Sequence, residues 1–131
     1  MKKVLVIGGY GNIGLGITKR MLQEGYDVTV VTAREREGNP EPDAKCITVN
    51  RKDQEMFRKL VKDEYQYVID LACMTKEDAR QDYEVFRNVE HIIVASSGAA
   101  YGALRGQEIP VRENMKLQPV WKYGIIKKEM E

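Results

Sequence analysis

The 131-residue sequence predicts an α/β domain: a parallel sheet of about five strands in the order 3-2-1-4-5, covered by helices on both faces. Three observations carry this. Short, apolar, β-branched runs alternate with stretches of helical periodicity. The first run, Val4-Leu5-Val6-Ile7, stops at glycines spaced three apart, Gly8, Gly11 and Gly14, and a helical pattern begins there. A second β-like run, Asp27 to Thr32, then completes a βαβ unit of ordinary size.

Taken in order, Lys3 to Ile7 reads as the first strand. Asn12 to about Glu24 reads as the first helix, with Ile13, Ile17, Met21 and Leu22 on its apolar face and Gly25 as its C-terminal cap. Val28 to Thr32 is a strand buried on both sides, as parallel sheets require. Arg34 to Pro42 is polar, holds two prolines and forms a surface loop. Cys46 to Val49 is a short third strand. Lys52 to about Asp63 is helical, with Met56, Phe57, Leu60 and Val61 inward and Asp53 near its start, where a carboxylate suits the dipole. Tyr67 to Leu71 is the fourth strand. Thr75 caps a helix running through Val85 and Phe86, with Glu77 and Asp78 in its first turn. His91 to Ala95 is the fifth strand. Ser96 to Pro119 is irregular, and a last helix starts at Trp121 and runs to Glu131.

Composition narrows the function classes. The chain is long enough to bury a core as one domain, residues 1–131, without disulfides or metals. A net charge of +1, with both signs interspersed, makes no electrostatic case for nucleic acid. The apolar runs are strand-length, so no membrane span is expected. Met1-Lys2-Lys3 leads straight into a strand without a signal-peptide pattern, and the cytoplasm is the expected compartment. Cys46 and Cys73 read as reduced, mostly buried thiols; with one histidine, His91, they make no zinc site.

The glycines supply the first chemistry. Gly8 permits the tight turn, Gly11 lets backbone approach a pyrophosphate without an intervening Cβ, and Gly14 lets the helix pack closely on the strand. The free N–H groups of the first helical turn, at Asn12, Ile13 and Gly14, favour an anion there. Tyr10 is bulky for such a loop and either covers a ligand or faces solvent. Ligands of open α/β sheets lie beyond the carboxyl ends of the strands. Ala72-Cys73-Met74-Thr75 and Ser96-Ser97-Gly98 fall there as well, and Leu71, at the strand's end, joins Ala72 and Cys73 as a candidate cofactor contact. Further on, Tyr123 and Lys127 stand four apart on the last helix and so share a face. An ammonium beside a phenol favours the phenolate over its ordinary pKa of ~10, and such a phenol can exchange a proton with an alcohol or carbonyl. Each of these pairs occurs by chance in isolation; their order behind a dinucleotide turn is what gives them weight.

Together the pieces resemble the extended short-chain dehydrogenase/reductase family, of the NAD-dependent epimerase/dehydratase type. The carrying residues are Gly8-Gly9-Tyr10-Gly11-Asn12-Ile13-Gly14, Val68-Ile69-Asp70-Leu71-Ala72, Ser96-Ser97-Gly98-Ala99-Ala100-Tyr101-Gly102, Ile109-Pro110-Val111-Arg112-Glu113-Asn114 and Tyr123-Gly124-Ile125-Ile126-Lys127. The resemblance covers the whole chain and implies a Rossmann-like, three-layer α/β/α domain. It implies Tyr123 as acid/base, Lys127 as the residue that tunes it and holds the nicotinamide ribose, and Ser97 as the group that binds the reacting oxygen. Asn50 and Arg51 sit where the family has an aspartate and an apolar residue against the adenine, and Asp70 replaces a common histidine.

The cofactor expected is NADP or NAD. Thr32-Ala33-Arg34 occupies the place where a carboxylate normally holds the ribose of NAD, and a guanidinium suits a phosphate, which favours NADP. Alternatively Arg34 stacks on the adenine or points to water, and Glu35 turns inward to bind NAD. The reaction implied is hydride transfer at a hydroxyl- or carbonyl-bearing carbon, with a small-molecule substrate such as a nucleotide sugar. The rival reading is a non-catalytic, regulatory or RNA-associated dinucleotide-binding module. Because the helix of Tyr123 and Lys127 closes the sequence, the chain reads as a fragment of a longer enzyme, inactive by itself. Its fifth strand would be an open edge that leaves a homo-oligomer possible.

Overall fold

The computed structural model describes residues 1–60, 64–102 and 110–131. These form two units, Met1–Ala72 with Asp82–Ala95, and Cys73–Gln81 with Ser96–Glu131.

The first unit is the parallel sheet. β1 (Lys3–Ile7), β2 (Asp27–Thr32), β3 (Lys45–Thr48), β4 (Tyr67–Asp70) and β5 (His91–Val94) run in the order β3-β2-β1-β4-β5, as the alternating pattern predicts. Every neighbouring pair is parallel; Val4 lies opposite Val28 on one side and Tyr67 on the other. Alternate side chains of the central strands enter two cores. Leu5, Ile7, Val31 and Val68 meet Phe57, Leu60 and Phe86 on one face. The two phenylalanine rings stand edge to face, 5.7 Å apart, a favoured aromatic geometry. Val4, Val6, Val28, Val30 and Ile69 meet Ile17, Met21 and Leu22 of helix α1 (Asn12–Gln23) on the other face. That makes three layers.

α1 ends as predicted: Gly25 takes φ +82°, its N–H bonds the Leu22 carbonyl and that of Tyr26 bonds Met21. Helix α2 (Gln54–Arg58) is capped by the Asp53 carboxylate, which accepts from the Met56 N–H at 3.1 Å. Val61 and Ile109, part of the sequence reading, lie outside the described residues.

Four expectations change. Ile13 is 72% exposed, because it lies in the first turn of α1, beyond the strip that meets the sheet. Met56 is exposed while Phe57 and Leu60 face inward, because the regular part of α2 is a little over one turn. Cys46 is exposed, since it lies on an edge strand, whereas Cys73 is buried. Tyr10 is neither a cover nor solvent-facing but buried in the α1-side core. β5 is the other edge, and its Ile93 is 54% exposed.

The boundary between the units falls within helix α3 (Lys76–Phe86). In the second unit its N-terminus has a reciprocal cap: Asp78 accepts from the amides of Met74 and Thr75, and Thr75 Oγ1 accepts from the Asp78 amide. The rest of that unit packs helix α4 (Lys122–Met130) on a 3-10 turn, Gly98–Tyr101. Gly124 permits it: a Cβ there would lie 2.3 Å from the Ala99 carbonyl oxygen. Gly102, at φ +85°, equally abuts the Gln118 carbonyl oxygen.

Candidate dinucleotide site

The glycine turn is built as its spacing predicts, and the glycines divide the work. Gly8 has φ +78°, a conformation costly to other residues, and its N–H bonds the Val31 carbonyl at 2.9 Å. Gly11 donates to the Gly8 carbonyl at 3.0 Å and is the N-cap of α1. No side chain caps that helix, so the first-turn amides that a cap would take are left for an anion. Asn12 and Ile13 are exposed beside it. Gly14 is buried, and a Cβ there would lie 2.2 Å from the Gly8 carbonyl oxygen. At Gly11 a Cβ would meet only that same oxygen, at 3.3 Å. Gly14 therefore serves the packing, whereas Gly11 keeps the mouth of the turn open.

Gly9 is a requirement that spacing did not reveal. A Cβ there would lie 2.9 Å from both Thr18 Oγ1 and Val30 Cγ1, and its carbonyl accepts from buried Thr18 Oγ1 at 2.9 Å. Its signal in the sequence is only the doubled glycine after the strand.

The loop after β2 folds back on this turn. The Tyr10 hydroxyl donates to Asn39 Oδ1, Asn39 Nδ2 donates to the Ala44 carbonyl at 2.8 Å, and Arg36 lies over the Tyr10 ring at 5.8 Å. So Arg36 is the loop arginine that lies against the turn's tyrosine, though it and Arg34 are both exposed.

Arg51 does not face outward as a residue against the adenine would. Its guanidinium reaches Asp70 Oδ2 at 2.9 Å, the Ala72 carbonyl at 3.1 Å and Asp82 Oδ1 at 2.6 Å, and lies 5.0 Å from the centre of the Phe57 ring. The neighbouring Asn50 accepts the Lys52 amide on Oδ1 at 3.0 Å and shapes the same loop. Asp70 and Asp82 are fully buried. Burial, then the adjacent Asp70 carboxylate, push Asp82 up to about 8 against the opposing pull of Arg51. The shift favours a proton held within the Asp70–Asp82 carboxyl pair. Asp82 Oδ2 has no hydrogen-bond partner among the described residues.

In the second unit Lys127 is 2% exposed, and its ammonium donates to the Cys73 carbonyl at 2.8 Å. The same ammonium lies 5.8 Å from the centre of the Tyr123 ring, so the predicted shared face of α4 is real, with the cation over the ring. Tyr123 itself is exposed. Ser97 caps the 3-10 turn, its Oγ accepting the Ala99 amide at 3.1 Å, which leaves its O–H free to donate.

A parallel α/β sheet whose first strand ends in an uncapped glycine turn defines a nucleotide-binding domain of the Rossmann class. The family model for the NAD dependent epimerase/dehydratase family matches residues 4–86, and the chain belongs to that family, within the extended short-chain dehydrogenases/reductases. It is 28% identical over 130 residues to 2'-dehydrokanamycin reductase of Streptomyces kanamyceticus, covering 98% of this chain and 36% of that protein. It is 28% identical over 150 residues to UDP-glucose 4-epimerase of Lactobacillus helveticus, covering 98% of this chain and 45% of that one. The crystal structure of UDP-glucose 4-epimerase from Brucella ovis in complex with NAD superposes with a TM-score of 0.83 at 20% identity, over 98% of this chain and 45% of the other. The chain thus spans less than half the length of these relatives. Among the described residues no helix is long and apolar enough to cross a membrane.

Proposed function

We propose that this chain is the dinucleotide-binding part of an NAD-dependent enzyme acting at a hydroxyl- or carbonyl-bearing carbon, with a nucleotide sugar as the substrate class. The observation that carries the reading is the glycine turn. Gly8 sets its shape, Gly11 keeps its mouth clear, and the uncapped amides of Asn12, Ile13 and Gly14 suit a pyrophosphate. The family and the names of the relatives support the same class. Leu71, Ala72 and Cys73, at and after the end of β4, would line the cofactor further along.

The bound dinucleotide supplies a hydride acceptor and donor. The chain's own residues handle the proton. Tyr123 would take it from the substrate hydroxyl and return it, Ser97 would donate a hydrogen bond to the same oxygen, and Lys127 would hold positive charge near the phenol and reach the ribose. In the full-length protein, Tyr123→Phe is expected to lower turnover by about 100-fold or more, the share general acid–base groups supply, while leaving the affinity for NAD unchanged. Unchanged turnover would remove Tyr123 from the chemistry, and a full-length protein that binds NAD with no turnover at all would favour the non-catalytic module.

The choice of dinucleotide rests on position 34. Arg34 follows β2, where a 2′-phosphate would be met, and is the ground for NADP; the family's cofactor is NAD. Calorimetric titration with both should show Arg34→Ala weakening NADP by ~1.5–3 kcal/mol, the range for a hydrogen bond to a charged group, with NAD nearly unchanged. Equal losses for the two would mean that Arg34 stacks on the adenine, and no loss for either would give the 2′ position to another residue.

A further inference from the structure

We infer that Arg51, with Asp70 and Asp82, is a positioning device for the dinucleotide cleft: it fixes the Leu71–Ala72 backbone against the glycine turn and makes no contact with the adenine. The inference rests on the dinucleotide-binding reading above. Its geometry is a cluster that holds one residue from both sides. The Ala72 N–H donates to Asp70 Oδ1 at 2.7 Å, and the Ala72 carbonyl accepts from Arg51 Nη1 at 3.1 Å. The same Nη1 also binds Asp70 Oδ2 at 2.9 Å, so guanidinium and carboxylate close a ring around the Ala72 backbone. One residue earlier, the Leu71 N–H bonds the Ile7 carbonyl at 3.0 Å.

That backbone is what the turn meets. A Cβ on Gly8 would lie 3.5 Å from the Ala72 Cβ and 3.6 Å from the Leu71 Cβ. A shift of the strand-four end is therefore a shift of the wall beside the phosphate turn. Asp82 supports the device from α3: it takes the other guanidinium nitrogen, Nη2, at 2.6 Å and so sets the direction of the fork. Planar, five-donor guanidinium suits this task, since one rigid group must serve two carboxyls and a carbonyl. The cluster also has the charge count of a locking element. With one proton held between the two carboxyls, one guanidinium faces one net negative charge.

Breaking such a cluster by one member strands a charge and can unfold the chain, so the test uses variants that do not. Arg51→Met combined with Asp70→Asn removes both charges and keeps an amide oxygen for the Ala72 N–H. Asp82→Leu removes the support from α3 and leaves Arg51 paired with Asp70; Asp82→Asn restores an oxygen there. Each is titrated with NAD in this chain, and its thermal midpoint is recorded. The double variant should melt near the wild-type midpoint yet bind NAD at least about tenfold more weakly, as the loss of a charged hydrogen bond implies. Asp82→Leu should also weaken NAD binding, and Asp82→Asn should recover most of that loss. A folded double variant that binds NAD as wild type does overturns the inference. Should the double variant fail to fold, the Asp82 pair decides: equal affinities in the leucine and asparagine variants overturn it, and a weaker leucine variant upholds it. Wild-type chain that takes up no NAD removes the dinucleotide reading itself, and the inference with it.

Discussion

Gly14→Val should leave the chain unfolded. A Cβ at position 14 would lie 2.2 Å from the Gly8 carbonyl oxygen and 2.8 Å from both the Gly9 Cα and carbonyl carbon. All three are backbone atoms of the turn that joins β1 to α1, so no side chain can rotate away to make room. Relief requires lifting α1 from the sheet, and with it Ile17, Met21 and Leu22 from the core formed by Val4, Val6, Val28 and Val30. Uncovering that face would cost a large part of the ~5–15 kcal/mol that holds a domain of this size together. Valine adds two methyl groups to the clash. Gly16, two residues on, has nothing within 4 Å of such a Cβ, so the demand belongs to the contact and not to the helix. Far-UV circular dichroism and a thermal melt test it, and a cooperative transition at the wild-type midpoint would refute the close-packing role of Gly14.

Gly11→Val should do the opposite: remove NAD binding from a chain that still folds. Gly11 has φ −74° and ψ −178°, which a valine adopts without strain, and its Cβ would touch only the Gly8 carbonyl oxygen, at 3.3 Å. What the branched side chain fills is the space beside the uncapped N-terminus of α1, where a phosphate must approach the Asn12, Ile13 and Gly14 amides. The melt should therefore stay close to that of wild type while calorimetric titration shows no heat of NAD binding. Unchanged affinity would rule out the turn as the phosphate site; a collapsed melt would put Gly11 in the same structural role as Gly14. The two glycines look alike in the sequence, and the pair of variants separates them.

Much of this could be read before any coordinates, because it depends on local rules. The parallel sheet follows from alternating periodicity and the right-handed crossover, and its order is that of the fold the resemblance implies. The Gly25 cap, the Thr75 cap and the glycine turn follow from backbone preferences of single residues within a few positions of one another, as does a carboxylate at Asp53 near the start of α2. The shared face of Tyr123 and Lys127 follows from helix geometry alone.

What the sequence could not specify is which distant groups meet. The resemblance puts Asn50 and Arg51 where the family has residues against the adenine, and nothing near Arg51 in the sequence names its partners. Asp70 lies 19 residues away and Asp82 31 residues away, and only the crossovers through α2 and α3 bring them to one guanidinium. An aspartate among the apolar residues of a central strand was the one visible sign that a buried partner existed. Tyr10 likewise is buried because Asn39, 29 residues on, accepts from its hydroxyl. Ile13 and Met56 fall on apolar stripes and are nevertheless exposed, Ile13 because it sits in the first turn of α1 and Met56 because α2 is little more than one turn long. The sequence by itself determined the strands, the helix caps and the phosphate turn, through interactions short enough to be encoded by neighbours. The tertiary structure alone decided which charged and polar side chains are buried, because a buried charge is stable only where folding delivers its partner.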